Sequence, residues 1–199
     1  YMYVLEEIPN EMYEMKYRPE FFPKGYMSGV ELTNRFKSYS KDNIDKWLSD
    51  IEKWLNLIVN VDYRTITDNW AKEISETGNK YTRLNELAVS KEYIERVKKE
   101  KINIIGKVKP EPSMIIYDYY SGFFFMRVQF EFQLLSAKDK KNVFNLLFQP
   151  KEELELNKRY RGYADIALGN MIAEYDNLSD LRPGLAVSSF FLHSEYKKE

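Results

Sequence analysis

The sequence predicts an α+β domain in which an irregular N-terminal arm leads into three amphipathic helices, followed by a curved antiparallel sheet with a C-terminal helix and a closing strand. Two patterns carry this reading. Between Ile44 and Ile58, apolar residues recur at steps of three and four, the period of a helix with one buried stripe. Over residues 123–135 the period switches to two. Phe124, Met126, Val128, Phe130, Phe132 and Leu134 occupy the even positions, while the odd ones include Arg127, Gln129, Glu131 and Gln133, the pattern of a strand with one buried and one wet face. A hydrophobic content of 44% beside 31% charged residues is that of a globular chain, and 199 residues suit one core better than two.

Residues 1–39 contain Pro9, Pro19 and Pro23 and no sustained period, and the run Tyr17-Arg-Pro-Glu-Phe-Phe-Pro reads as extended, irregular backbone. Tyr17, Phe21, Phe22, Tyr26 and Met27 would be costly to leave in water, so this arm is expected to dock, either on its own domain or on a neighbouring subunit. Residues 40–199 read as one domain. Its first helix starts at Ser40 as N-cap with Asp42 in the first turn, and buries Trp47 and Trp54. A second helix covers residues 68–77, capped by Thr67 or Asp68 and stopped by Gly78 in a left-handed conformation. A third covers residues 84–101, with Leu84, Leu87, Ala88, Ile94 and Val97 on one face and a break near Ser90.

Two β-forming stretches follow, residues 102–108 and 113–119, with Pro110 and Pro112 as breakers between them. Ser121-Gly122 turns the chain into the long strand. Residues 137–141 form a polar turn into a second hairpin strand over residues 142–149. Pro150, with Glu152 and Glu153 behind it, predicts the start of a helix running to Ile172 through Gly162 and Gly169. Residues 176–184 read as a loop, residues 185–193 as the closing strand and residues 195–199 as a charged tail.

Thirty Lys and Arg against 31 Asp and Glu give a net charge of −1, which supplies no field to draw the chain to nucleic acid or anionic lipid. Nucleic acid is therefore not an expected partner. With no cysteine there is neither a disulfide, a thiolate metal site nor a thiol nucleophile, and the compartment stays open. No stretch approaches the roughly 20 apolar residues of a membrane helix. The chain opens at Tyr1 rather than Met, so removal of upstream residues is expected, and membrane association would need an anchor among them. The phosphate-cradling and nucleophile-elbow patterns GxGxxG, GxxxxGK[ST] and GxSxG do not occur, and no cofactor is expected. The basic cluster Arg96, Lys98, Lys99 and Lys101 suits the C-terminal end of a helix, and Glu152, Glu153 and Glu155 suit the start of one.

The helix bearing Trp47 and Trp54, the helix over residues 69–75, and the segment from Ile102-Asn-Ile-Ile-Gly-Lys-Val-Lys through Phe132 stand in an order that resembles the cystatin-like cone of the nuclear transport factor two-like superfamily. The resemblance covers residues 40–149 and rests on element order. It implies a sheet wrapped around the long first helix. It also implies a choice of functions, since the superfamily holds small-molecule lyases and isomerases as well as non-catalytic assembly subunits of conjugation and type IV secretion machines. Its enzymes place Tyr, Asp and His in an apolar cavity, which makes Asp62, Tyr63, Tyr117, Asp118 and His193, the one histidine, the pocket candidates here; packing, turn and rim roles are the alternative for each. Residues 121–128 resemble the aromatic strand of RNA-recognition domains, yet the alternation runs on unbroken to Leu134, as a core face does.

Together these observations favour a non-catalytic structural or interaction subunit of a larger assembly, of secretion or conjugation type or in a virus particle, whose partners are other protein subunits, copies of itself included. An apolar-ligand module or cone-type lyase or isomerase is the alternative. A nucleic-acid-associated protein would need a one-sided basic surface hidden by the overall charge balance.

Overall fold

The computed structural model describes residues 41–78, 86–118, 123–144, 153–169, 182–184 and 195–198. The arm with Tyr17, Phe21, Phe22, Tyr26 and Met27, the cap Ser40, the turn at Ser121-Gly122 and the closing strand with His193 lie outside these residues. Three helices come first: α1 (Lys41–Val59), α2 (Asp68–Thr77) and α3 (Leu87–Glu100), with the two-residue strand β1 (Val61–Asp62) between the first two. The strands β2 (Asn103–Asp118), β3 (Phe123–Ser136), β4 (Arg159–Gly169), β5 (Arg182–Gly184) and β6 (Glu195–Lys198) follow. They form a curved, unclosed antiparallel sheet in the order β1-β2-β3-β4-β5, and β6 pairs with β4 beside β5. The class is α+β, as expected.

The two decisive periods are both realised. On α1 the stripe Ile44, Trp47, Ile51, Trp54, Leu55 and Ile58 is buried, and on β3 so are Met126, Val128, Phe130, Phe132 and Leu134. Both belong to one continuous hydrophobic cluster, to which α2 adds Trp70 and Ile74 and α3 adds Tyr93, Ile94 and Val97. Side chain to backbone bonds tie the layers together. The Trp70 indole N–H donates to the Leu57 carbonyl at 2.7 Å, and the Tyr93 hydroxyl donates to the Val143 carbonyl at 2.9 Å.

Several expectations are corrected. Pro110 and Pro112 do not split β2, which runs unbroken to Asp118; its pairing with β3 shifts register between Pro110 and Ile115 instead. Proline has no N–H to give, but on a strand whose other edge carries no long partner among the described residues that loss is tolerated, and the irregularity absorbs the misfit. Within the expected helix over residues 151–172, residues 153–158 are irregular backbone and turn and Arg159–Gly169 is a strand: residues 159–168 pair with β3 one by one, and Tyr160, Ala164, Ile166 and Leu168 are buried at alternate positions. Glu153, assigned to a helix start, forms an ion pair with Lys140 at 2.7 Å.

The expected second hairpin strand is irregular at residues 142–144. Val143 and Phe144 plug the core, and Phe144 meets Phe132 edge to face with ring centres 5.0 Å apart. In α3 there is no break at Ser90, which is buried within the helix, while Leu87 is 45% exposed and Ala88 also faces solvent. Gly78 is extended rather than left-handed (φ −82°), and it is Lys101, ending α3, that takes the left-handed conformation. The tail at residues 195–198 is strand β6, and residues 182–184 of the expected loop are β5.

Candidate functional site

The space where a cone-type fold would hold a ligand lies between α1 and the sheet. Trp47, Ile51, Trp54 and Leu55 enter it from the helix and Met126, Val128 and Phe130 from β3, all of them essentially inaccessible to solvent. Phe132 follows and stacks on Tyr160 with ring centres 5.1 Å apart, and the Tyr160 hydroxyl accepts the Glu155 N–H at 2.8 Å. The interior is occupied by the chain's own rings.

The outer face is different. In an antiparallel sheet, residues in register point to the same side, so the register sets out rows across β2, β3 and β4: Ile105–Gln133–Arg159, then Lys107–Glu131–Arg161, then Lys109–Gln129–Tyr163. Lys107 Nζ lies 3.1 Å from one Glu131 oxygen and Arg161 Nε 3.3 Å from the other, so a single carboxylate bridges cations from both neighbouring strands. A hollow of about 250 Å³ lies over the first two rows, lined by Ile105, Gly106, Lys107, Glu131, Gln133 and Arg159 among others. Farther along β3, Arg127 is fully buried, which corrects the expectation that every odd position is wet; it stands in register with Asp165.

Burial pushes the Glu131 carboxyl pKa up, but the hydrogen bonds and charges of Lys107 and Arg161 outweigh that and hold it below the ordinary value of 4.5. A depressed pKa means that the stabilisation is present above the unfolded-state pKa and is lost as pH falls through the folded one. Glu131→Gln is therefore expected to cost about 0.5–1 kcal/mol at pH 7. Denaturant titrations repeated at successively lower pH should bring variant and parent together as the folded-state carboxyl protonates; a gap that does not change with pH would remove the ionic account.

The described pocket candidates stand at two ends of β2. The Asp62 carboxylate accepts the Arg64 backbone N–H at 2.9 Å and the Arg64 Nε–H at 2.9 Å, and this pairing, chiefly its side-chain hydrogen bond, holds its pKa below the ordinary range. Tyr63 packs, half-buried, against the edge of the core, and the Arg64 guanidinium lies 5.8 Å from its ring centre. Asp62 is in register with Asn103 at the start of β2, whereas Tyr117 and Asp118 pair with Phe124 and Phe123 at its far end. At the usual rise per residue, roughly 50 Å of strand separates the two pairs. His193 lies outside the described residues. Among the described residues, no group of three or more His, Cys, Asp or Glu is placed to hold a metal, and no helix is long and apolar enough to cross a membrane.

The rows of the outer face were missed by reading the strands one at a time. The signal was present as alternating basic residues, Lys107 and Lys109 in one segment and Arg159 and Arg161 in another, but only register brings them side by side. No family model, curated protein or solved structure matches this chain.

Proposed function

We propose that this chain is a non-catalytic interaction subunit of a larger protein assembly, a machine of secretion or conjugation type or a virus particle. Its fold, on this reading, is a cystatin-like cone whose ligand chamber has been given over to packing. The observation that carries the proposal is the filled interior: Trp47, Trp54 and Phe130, at most 1% exposed, stand where a small apolar substrate would have to sit. The scattered Tyr and Asp candidates support it as well, since acid–base chemistry needs its groups within hydrogen-bond reach of one substrate.

Function then lies on the surface. Multi-angle light scattering of the full-length protein, followed up to about 100 μM so that a weak interface is populated, is expected to show a dimer or larger species, or a stable complex with another subunit. A strictly monomeric protein that forms no complex with proteins of its own assembly would overturn the reading. So would saturable binding of a small apolar molecule with protection of Trp47 and Trp54 fluorescence.

A further inference from the structure

We propose that the outer face of the sheet, at the end where β2, β3 and β4 carry Ile105, Lys107, Gln133, Glu131, Arg159 and Arg161, docks an extended acidic segment of a partner protein. The inference rests on the interaction-subunit reading and names the partner's chemistry. Charge is its first support. Lys107 and Arg161 both lie against Glu131, and Arg159, in the adjacent row, is exposed and forms no ion pair among the described residues. The whole chain carries a charge of −1, so the positive surplus is a local arrangement rather than a reflection of composition.

Geometry is the second support. Lys107 and Lys109 are alternate residues of β2, and Arg159 and Arg161 are alternate residues of β4, so each pair repeats at about 7 Å. Carboxylates at alternate positions of an extended segment repeat at the same interval. The third support is apolar. Ile105 is 46% exposed among these cations, and Leu156, 40% exposed, belongs to the same end of the sheet, where the neighbouring Asn157 N–H donates to the Leu134 carbonyl at 2.8 Å. Cations around an aliphatic anchor suit a protein segment.

The test is a fluorescence-anisotropy titration of the full chain with a labelled peptide of alternating glutamate and serine carrying one central leucine, at about 50 mM salt, where charge contacts are least screened. Binding is expected, weakened about tenfold by Arg159→Glu and several-fold by Ile105→Ser, and unchanged by Lys53→Glu on the exposed side of α1. Because Arg159 is exposed and forms no ion pair among the described residues, its variant should keep the parent circular dichroism spectrum; Lys107→Glu provides a second reversal on the opposite strand. No binding, or binding indifferent to both reversals, overturns the proposal. Tighter binding of an oligothymidine, lost in the same variants, also overturns it, in favour of nucleic acid. A monomer that binds the peptide keeps this surface while counting against self-assembly, and an oligomer that ignores the peptide does the reverse.

Discussion

Trp54→Ala should lower the unfolding free energy by about 3–5 kcal/mol, read as a fall in denaturant midpoint at unchanged slope. Trp54 is fully buried on α1, and the same stripe carries Trp47 and Ile51, each with no exposed area. Truncation there loses the transfer energy of the indole. It also leaves a cavity that cannot close easily, because a helix backed by a sheet cannot collapse inward without breaking its own pairing. Native domains hold only about 5–15 kcal/mol in total, so the variant should sit near its folding threshold at 37 °C. Glu52→Ala, two positions earlier on the exposed side, should stay within about 0.5 kcal/mol of the parent. A Trp54→Ala loss below about 1 kcal/mol would mean that α1 is not the piece the sheet closes on.

That prediction comes from the part of the fold most legible in the residues. The stripe of α1 and the alternation of β3 each encode burial directly, because one face of each element is wholly apolar and the period alone says which. Residues 159–169 were not legible in the same way. Tyr160, Ala164 and Ile166 alternate, but Gly162 and the alanines weaken the contrast, and an acidic run after a proline mimics a helix start. Pairing with β3 overrides local preference there. Prolines 110 and 112 misled in the opposite direction, since their penalty depends on whether a strand is central or at an edge, and that is a property of the sheet.

The candidate surface shows the same limit from the side of function. Period two tells which residues share a face, but not what covers that face: Arg127 and Glu131 are both odd-numbered on β3, yet one is fully buried and the other sits in a charged row that solvent reaches. Nor can one strand reveal that Lys107 and Arg161 share a carboxylate. Residues 24 positions apart in one case and 30 in the other become neighbours only through register. Residue type, conversely, groups Asp62 with Asp118 without saying where either stands, and β2 sets their backbones at opposite ends.

Gly106→Ala is expected to destabilise the fold by about 2–3 kcal/mol, although alanine is ordinarily the better residue within a strand. The reason is space. A Cβ built at Gly106 would meet the Glu131 carbonyl oxygen at 2.6 Å and the Val59 Cβ and Cγ2 at 2.9 and 3.0 Å. The carbonyl belongs to the neighbouring strand and cannot swing aside, and Val59 is anchored as the last residue of α1. Nor can Gly106 retreat, because its N–H donates to Asn60 Oδ1 at 2.9 Å and its carbonyl accepts the Asn60 amide at 3.0 Å, while the same amide reaches back to the Asn56 carbonyl at 3.1 Å. Asn60 thus clips the end of α1 to the start of β2, and Gly106 lets helix and strand come that close. A double-mutant cycle separates the two clashes: Val59→Ala trims the helix side and should make Gly106→Ala less costly by about 0.5–1 kcal/mol, leaving the penalty against the Glu131 carbonyl in place. A neutral or stabilising Gly106→Ala would mean that helix and strand stand farther apart, and would loosen the tie that sets β2 and its basic row against the rest of the molecule.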